Sequence, residues 1–152
     1  MNILTLLFVT ILFASQAWSL SPIPTFIEKP NIGFVDNYYD EARSIALSRM
    51  ASDFDFQDLT PENVKELDKV HDTKREFGKM FGFHDWKVTG QKLIEKEFGR
   101  VLLFEGTYLN NKKEKVSFLE VYWANAQSSR QFLLTSEKSL LKLDQFQEYF
   151  IP

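Results

Sequence analysis

The apolar positions of this 152-residue chain change their period along its length. Residues 3–14 form an unbroken apolar run, ILTLLFVTILFA, and no charged residue precedes Glu28. Residues 20–35, with Pro22, Pro24, Pro30 and Gly33, read as an extended leader. From Asn37 to Phe81, apolar side chains recur three and four positions apart, the spacing of a helix face. From Trp86 onward they alternate, or run continuously over short stretches closed by turn residues, as strands do.

The helical stretch divides in two. A first helix is predicted near Asn37, whose side chain can cap it with Asp40 at the third helical position. Ala42, Ile45, Ala46, Met50 and Phe54 would form its apolar side. Thr60-Pro61 opens a second helix with a cap residue and a proline in the first helical position. Val64, Leu67, Val70, Phe77 and Phe81 supply its apolar side, and Gly78 and Gly82 mark its end.

Four strands are predicted, at about Trp86 to Glu95, Arg100 to Leu109, Glu114 to Trp123 and Arg130 to Ser136. Their short connections specify an antiparallel meander. A turn centred on Asn111-Lys112 would pair Phe104 with Leu119 and Leu102 with Val121. That face, extended by Phe132 and Leu134, is apolar and should take the helices. The opposite face would pair Leu103 with Glu120 and Glu105 with Phe118, with Val101 and Tyr122 beyond. Leu140 to Phe150 is open to a short helix or a closing strand. The expected fold class is α+β, with N-terminal helices packed on a four-stranded antiparallel meander. The expected organisation is a leader at 1–19, a linker at 20–35 and one domain at 36–152.

Composition adds a location. The apolar run is about a dozen residues, short of the roughly 18 a membrane span needs. Ala17-Trp18-Ser19 puts small residues at the −3 and −1 positions of a cut after Ser19. This is the layout of a signal peptide, and a secreted or periplasmic protein is expected. No Lys or Arg precedes the run, so a retained N-terminal anchor is the other reading. The chain has no cysteine, which excludes thiol catalysis, thiolate metal sites and disulfides. A net charge of −3 gives no bulk attraction to nucleic acid or to an anionic membrane.

Between Thr60 and Thr135 the T-P-E-N helix start, the R-E-F-G helix end at Arg75 to Gly78 and the strand R-Q-F-L-L at Arg130 to Leu134 follow in order. In this layout the chain resembles the cystatin-like and NTF2-like α+β roll, and the small exported bacterial domains built on it. The resemblance implies a sheet wrapped against helices with a pocket on the concave side. It implies no particular chemistry, because the roll hosts enzymes and binding modules alike. The inhibitory cystatins carry Gln-x-Val-x-Gly, whereas this chain has Lys87-Val88-Thr89-Gly90 without the Gln, so protease inhibition is not implied.

The candidate chemistry is sparse. On the expected register Glu105 and Glu120 share the mixed sheet face, where two carboxylates serve acid–base work, hold a ligand or simply face water. With Phe118 and Tyr122 they form the expected ligand or partner surface. The leading expectation is a non-catalytic binding domain for a protein partner or small ligand. The alternative is a small cavity enzyme of isomerase or dehydratase type, and a homodimer through the sheet is a further arrangement. His71 and His84 each precede an Asp, but chain neighbours seldom orient an imidazole for catalysis, and both are expected to be exposed. Asp53, Asp55 and Asp58 fail the calcium-loop pattern, which needs Gly and Glu where Asp58 and Val64 stand. Lys112, Lys113 and Lys115 read as a solvated turn. No cofactor or metal is expected.

Overall fold

The computed structural model describes residues 19–52 and 54–152. The apolar run and the rest of the expected leader up to residue 18 lie outside the described residues, as does Asp53. The elements in order are β1 (Ser21–Pro22), β2 (Ile27–Ile32), β3 (Val35–Asp40), β4 (Ile45–Met50), α1 (Val64–Leu67) and α2 (Val70–Phe77), which tightens into a 3-10 turn at Gly78–Phe81. Then come β5 (His84–Lys96), β6 (Gly99–Leu109), β7 (Lys115–Ala124) and β8 (Ser129–Ser136). A 3-10 turn at Leu143–Gln145, α3 (Phe146–Tyr149) and β9 (Phe150–Ile151) follow.

Seven strands form one antiparallel sheet in the order β2-β3-β4-β8-β7-β6-β5, and β1 pairs with β9 in a small separate ladder. This overturns the expected α+β roll. The four predicted strands are present, but they are only four of the seven in the sheet. The first predicted helix does not form: its residues make the β3–β4 hairpin, and β2 occupies what reads as a leader. The resemblance to the cystatin-like and NTF2-like roll fails with it, since among the described residues no helix precedes the first strands.

The physical reason lies in residues 40–48. Ile45 and Leu47 are buried while Ala46 between them and Ser48 after them are half-buried, a period of two. Asp40 is buried and closes the hairpin: its carboxylate accepts the Arg43 N–H at 3.0 Å and the Thr25 hydroxyl at 2.8 Å. These bonds give the turn a partner that helix capping would otherwise have used. The helical spacing of Ala42, Ile45, Ala46 and Met50 was incidental to that alternation.

Both faces of the sheet are covered. On the terminal face, Leu20 and Phe26 from one end of the chain and Leu141, Phe146, Tyr149 and Phe150 from the other pack on Leu47, Val101, Leu103, Val121, Trp123 and Leu134. On the helical face, Leu59, Val64 and Leu67 pack with Trp86, Leu102, Phe104, Phe118 and Tyr122. Arg100 ties the incoming loop down, with its guanidinium 3.9 Å over the Phe56 ring and Nη1 donating to the Phe56 carbonyl at 3.0 Å.

The register across β6 and β7 is one residue away from the expected one. Phe104 pairs with Glu120 and Leu102 with Tyr122, while Glu105 pairs with Leu119. The turn explains this. Asn110 and Glu114 face each other around a three-residue loop: the Asn110 N–H donates to the Glu114 carbonyl at 3.0 Å, and Lys113 is left-handed at φ 63°. That is a type I turn with an added left-handed residue, not a two-residue turn. Asn110 Oδ1 accepts the N–H groups of Lys112 and Glu114 and holds it in shape. A slip of one residue sends every side chain of the strand to the other face.

Candidate functional site

The four residues expected to form one surface are separated by this register. Phe118, Glu120 and Tyr122 lie on the helical face and are 0, 0 and 1% exposed. Glu105 lies on the terminal face. Phe118 is sealed by Trp86, which stacks on it at 3.9 Å. Its ring crosses Gly106, where an added Cβ would meet Phe118 Cζ at 2.6 Å, so glycine there makes room for the stack.

Glu105 works as an anchor. Its Oε2 accepts the Leu143 N–H at 2.7 Å and Oε1 lies 3.4 Å from Lys142 Nζ, so it pins the segment entering α3 onto the sheet. Charge-assisted bonds of this kind are among the stronger single contacts.

Glu120 sits at the centre of a buried polar group. Its Oε1 takes Lys74 Nζ from α2, the Tyr122 hydroxyl at 3.0 Å and Gln131 Nε2 at 2.7 Å. Its Oε2 has no hydrogen-bond partner and lies 3.8 Å from His71 Nδ1. His71 is fully buried, contrary to the expected exposure. The Trp86 indole N–H donates to His71 Nδ1 at 3.1 Å, which leaves the imidazole proton on Nε2. Burial, with Lys74 nearby, lowers the His71 pKa to about 4 against the pull of Glu120, so the ring is neutral at pH 7. Phe104 meets the His71 ring edge-on at 4.3 Å, and Lys74 Nζ lies 4.8 Å over Trp86.

A neutral imidazole beside a carboxylate has the chemistry of an acid–base pair. Here it is enclosed by aromatic rings and by α2 itself. Its evident work is to fasten α2, whose only buried residue is His71. Sequence reasoning saw His71 and Glu120 separately and had no means of joining them, since they lie 49 positions apart in sequence.

One accessible feature is a groove on the part of the helical face beyond the helices. The cross-strand row Tyr39, Ala46, Thr135 and Phe118 crosses this face, and the helices cover it only from Phe118 onward. The groove has a volume of about 310 Å³, with Tyr39 as an aromatic wall, the buried Tyr108 reaching its lining from the core, and Ser44, Asn110, Thr135, Ser136 and Glu137 offering polar atoms. Asn110 Nδ2 donates to Glu137 at 2.8 Å and to Glu114 at 2.9 Å, which fixes the groove's end. Burial, and then the Glu137 charge, push the Tyr108 pKa up, so its hydroxyl keeps its proton and can donate. None of these residues was singled out as a site from sequence. Their signal is conformational: Ser44 is left-handed at φ 55° where the β3–β4 turn enters β4.

The remaining sequence candidates are structural. His84 Nε2 lies 3.0 Å from Asn111 Oδ1 and is half-buried. Asp55 and Asp58 close a turn on backbone N–H groups, with Asp55 Oδ1 accepting from Gln57 at 2.8 Å and Asp58 Oδ2 accepting from Asp55 at 2.8 Å. Among the described residues no three His, Asp or Glu side chains gather in a way that could hold a metal ion.

No protein family and no curated protein matches the chain. Among solved structures it is similar to a protein of unknown function, PA94, from Pseudomonas aeruginosa. The two are 11% identical over 81% of this chain and 72% of that one, with a TM-score of 0.41. A likeness at this level assigns neither a fold family nor an activity.

Proposed function

We propose that this chain is an exported, non-catalytic binding domain that takes a small hydroxyl-rich ligand in the groove between Tyr39 and Tyr108. The observation that carries the proposal is the groove's make-up: the half-buried ring of Tyr39 and the edge of the buried Tyr108 beside hydroxyl, amide and carboxylate groups, on a part of the helical face beyond the helices. The aromatic face of Tyr39 suits the apolar side of a sugar ring, and the polar atoms suit its hydroxyls. The volume is at the small end of ligand sites, which fits one or two rings. The sheet-face binding expected from sequence is kept, but on different residues.

An isomerase or dehydratase would need Glu105 or Glu120 at the base of an open apolar cavity. Glu120 is covered by α2 and Glu105 is engaged with the C-terminal segment, so nothing in the geometry favours that reading. Export rests on the apolar run and the small residues before Leu20. Leu20 is 3% exposed, so a cut after Ser19 would leave the first core residue as the new N-terminus.

Amide chemical shifts recorded against a panel of mono- and disaccharides test the ligand class. Shifts confined to residues around Tyr39, Ser44, Asn110 and Thr135 are expected. Tyr39→Ala should weaken binding about tenfold or more with the fold intact, in line with loss of a stacking wall. A panel that moves no groove amide removes the ligand reading. Intact mass of the protein recovered from its own host tests the cut, and a mass that includes residues 1–19 removes it.

A further inference from the structure

We infer that the enclosed place around Glu120 is a binding site for an organic ammonium group, which Lys74 of α2 fills as an internal occupant. Its walls come from β5, β7 and β8, and it shares no lining residue with the groove between Tyr39 and Tyr108. The Glu120 carboxylate is fully buried, and its Oε1 receives Lys74 Nζ, the Tyr122 hydroxyl and Gln131 Nε2. The Trp86 ring centre lies 4.8 Å from the same Nζ. A carboxylate and an indole face converging on one nitrogen are the parts of an ammonium site, because charge and ring quadrupole attract the same cation.

The occupant is held less firmly than the site. In α2 only His71 is buried, while Asp72, Thr73, Arg75, Glu76 and Phe77 are exposed. Its grip on the sheet is mainly polar: the Lys74 ammonium on Glu120, and His71 Nδ1 on the Trp86 indole N–H. A helix that buries so little apolar surface opens locally at small cost. Glu120, Trp86, Tyr122 and Gln131 belong to the strands, so the site outlasts a departure of α2. The Lys74 side chain is 20% exposed and that of Glu120 is 0% exposed, so the lysine stem marks the path from solvent to the carboxylate.

Lys74 also leaves the site half used. Glu120 Oε2 is buried and has no hydrogen-bond partner. An ammonium carries three N–H donors, and one that is not tethered to a helix backbone can serve both carboxylate oxygens. Charge then fixes the class of ligand. A buried carboxylate requires a cation, so a ligand replaces Lys74 one for one. The indole face suits an organic cation, and among the described residues no three His, Asp or Glu side chains gather for a metal ion. The ligand is a primary amine on a short unbranched alkyl stem, and its binding displaces Lys74 and frees α2.

The test uses n-propylammonium, which is the part of the lysine side chain that Lys74→Ala removes, with propan-1-ol as its uncharged counterpart. In the full Lys74→Ala chain, n-propylammonium should raise the unfolding midpoint and shift the Trp86 indole N–H resonance. Propan-1-ol, or potassium at equal ionic strength, should do neither. Adding Glu120→Gln should weaken the response about tenfold or more, because a bond to a charged group is lost. The unsubstituted chain should show the same indole shift at about tenfold higher n-propylammonium or more, since Lys74 competes from within the molecule. As its site fills, hydrogen exchange at residues 70–77 should quicken. This second titration decides the matter if Lys74→Ala does not fold. An unmoved indole resonance in the unsubstituted chain makes Lys74 a fixed ion pair and overturns the inference. An equal response to propan-1-ol, a response that survives Glu120→Gln, or an indole shift without quicker exchange in α2 overturns it as well.

Discussion

His71 shows how a single buried side chain makes stability depend on pH. Its pKa falls from 6.5 to about 4 because burial penalises the cation and Lys74 adds to that penalty, with Glu120 opposing. A group depressed on folding binds more protons in the unfolded chain, so stability is lost as pH falls from about 6.5 to about 4. The whole interval corresponds to roughly 3 kcal/mol. Urea midpoints at pH 7 and pH 4.5 should differ accordingly. His71→Asn, whose side-chain oxygen can take the Trp86 indole proton, should flatten that slope. An unchanged slope in this variant would place the effect elsewhere. The neighbouring carboxylate gives a second test. Glu120→Leu removes the carboxylate that Lys74, Tyr122 and Gln131 share and leaves Lys74 without its ion-pair partner, which should cost about 3 kcal/mol or more. Adding Lys74→Met should recover at least about 1 kcal/mol, because a polar pair replaced on both sides leaves no orphan. A double variant no more stable than the single one would contradict the fastening role given to this pair.

At the scale of elements, the β6–β7 turn is the decisive piece. One additional left-handed residue at Lys113 sets which carboxylate faces the helices. Lys113→Gly removes the steric penalty of that conformation and should stabilise the protein by about 0.5–1 kcal/mol, read from thermal unfolding. Shortening the loop to two residues would instead drive Glu120 towards the wrong face and should abolish folding, read as loss of amide dispersion. The C-terminal segment hangs partly on Glu105. Glu105→Ala should leave the sheet intact but speed hydrogen exchange at residues 141–150, as expected when an anchored segment is released.

The two edges of the sheet also behave as elements with a purpose. β2 is exposed along its whole length but carries Lys29, Pro30 and a register shift between Lys29 and Ile32. β5 carries lysines and two shifts of its own. Such features discourage pairing between copies along an edge. The homodimer allowed by the sequence would have to use another surface, and a sizing column at micromolar concentration tests it.

For the whole molecule, the closure of the terminal face matters most. The first and last described segments meet there: Ser21 pairs with Ile151, and Leu20, Phe146 and Phe150 share one core. Ending the chain at Ser139 would strip Leu141, Phe146, Tyr149 and Phe150 from the sheet. Each buried apolar side chain is worth about 1.5–3 kcal/mol, so their sum is comparable to an entire folding free energy. The truncated chain should be insoluble on expression, and a soluble, cooperatively unfolding product would refute that role for the terminus.

The sequence alone determined the four strands from His84 to Ser136, because their alternation and turn residues are local facts. It also placed a chain reversal at Thr60 and Pro61, where the Thr60 carbonyl accepts the Val64 N–H at 3.0 Å, although the first α-helix itself begins only at Val64. Tertiary structure alone decided the rest. Residues 37–50 satisfy a helical spacing and a strand spacing equally, and pairing β4 with β8, some 85 positions away, selects the strand. Register across β6 and β7 turned on a single residue of loop that the alternating pattern could not count. The candidate site is of the same kind. Tyr39, Ser44, Tyr108 and Glu137 have no common motif, and they become one groove only because strands distant in sequence lie side by side. Short-range preferences act over a few residues and can be read from the chain, whereas contacts between distant strands depend on which of several permitted patterns buries the most apolar surface at once.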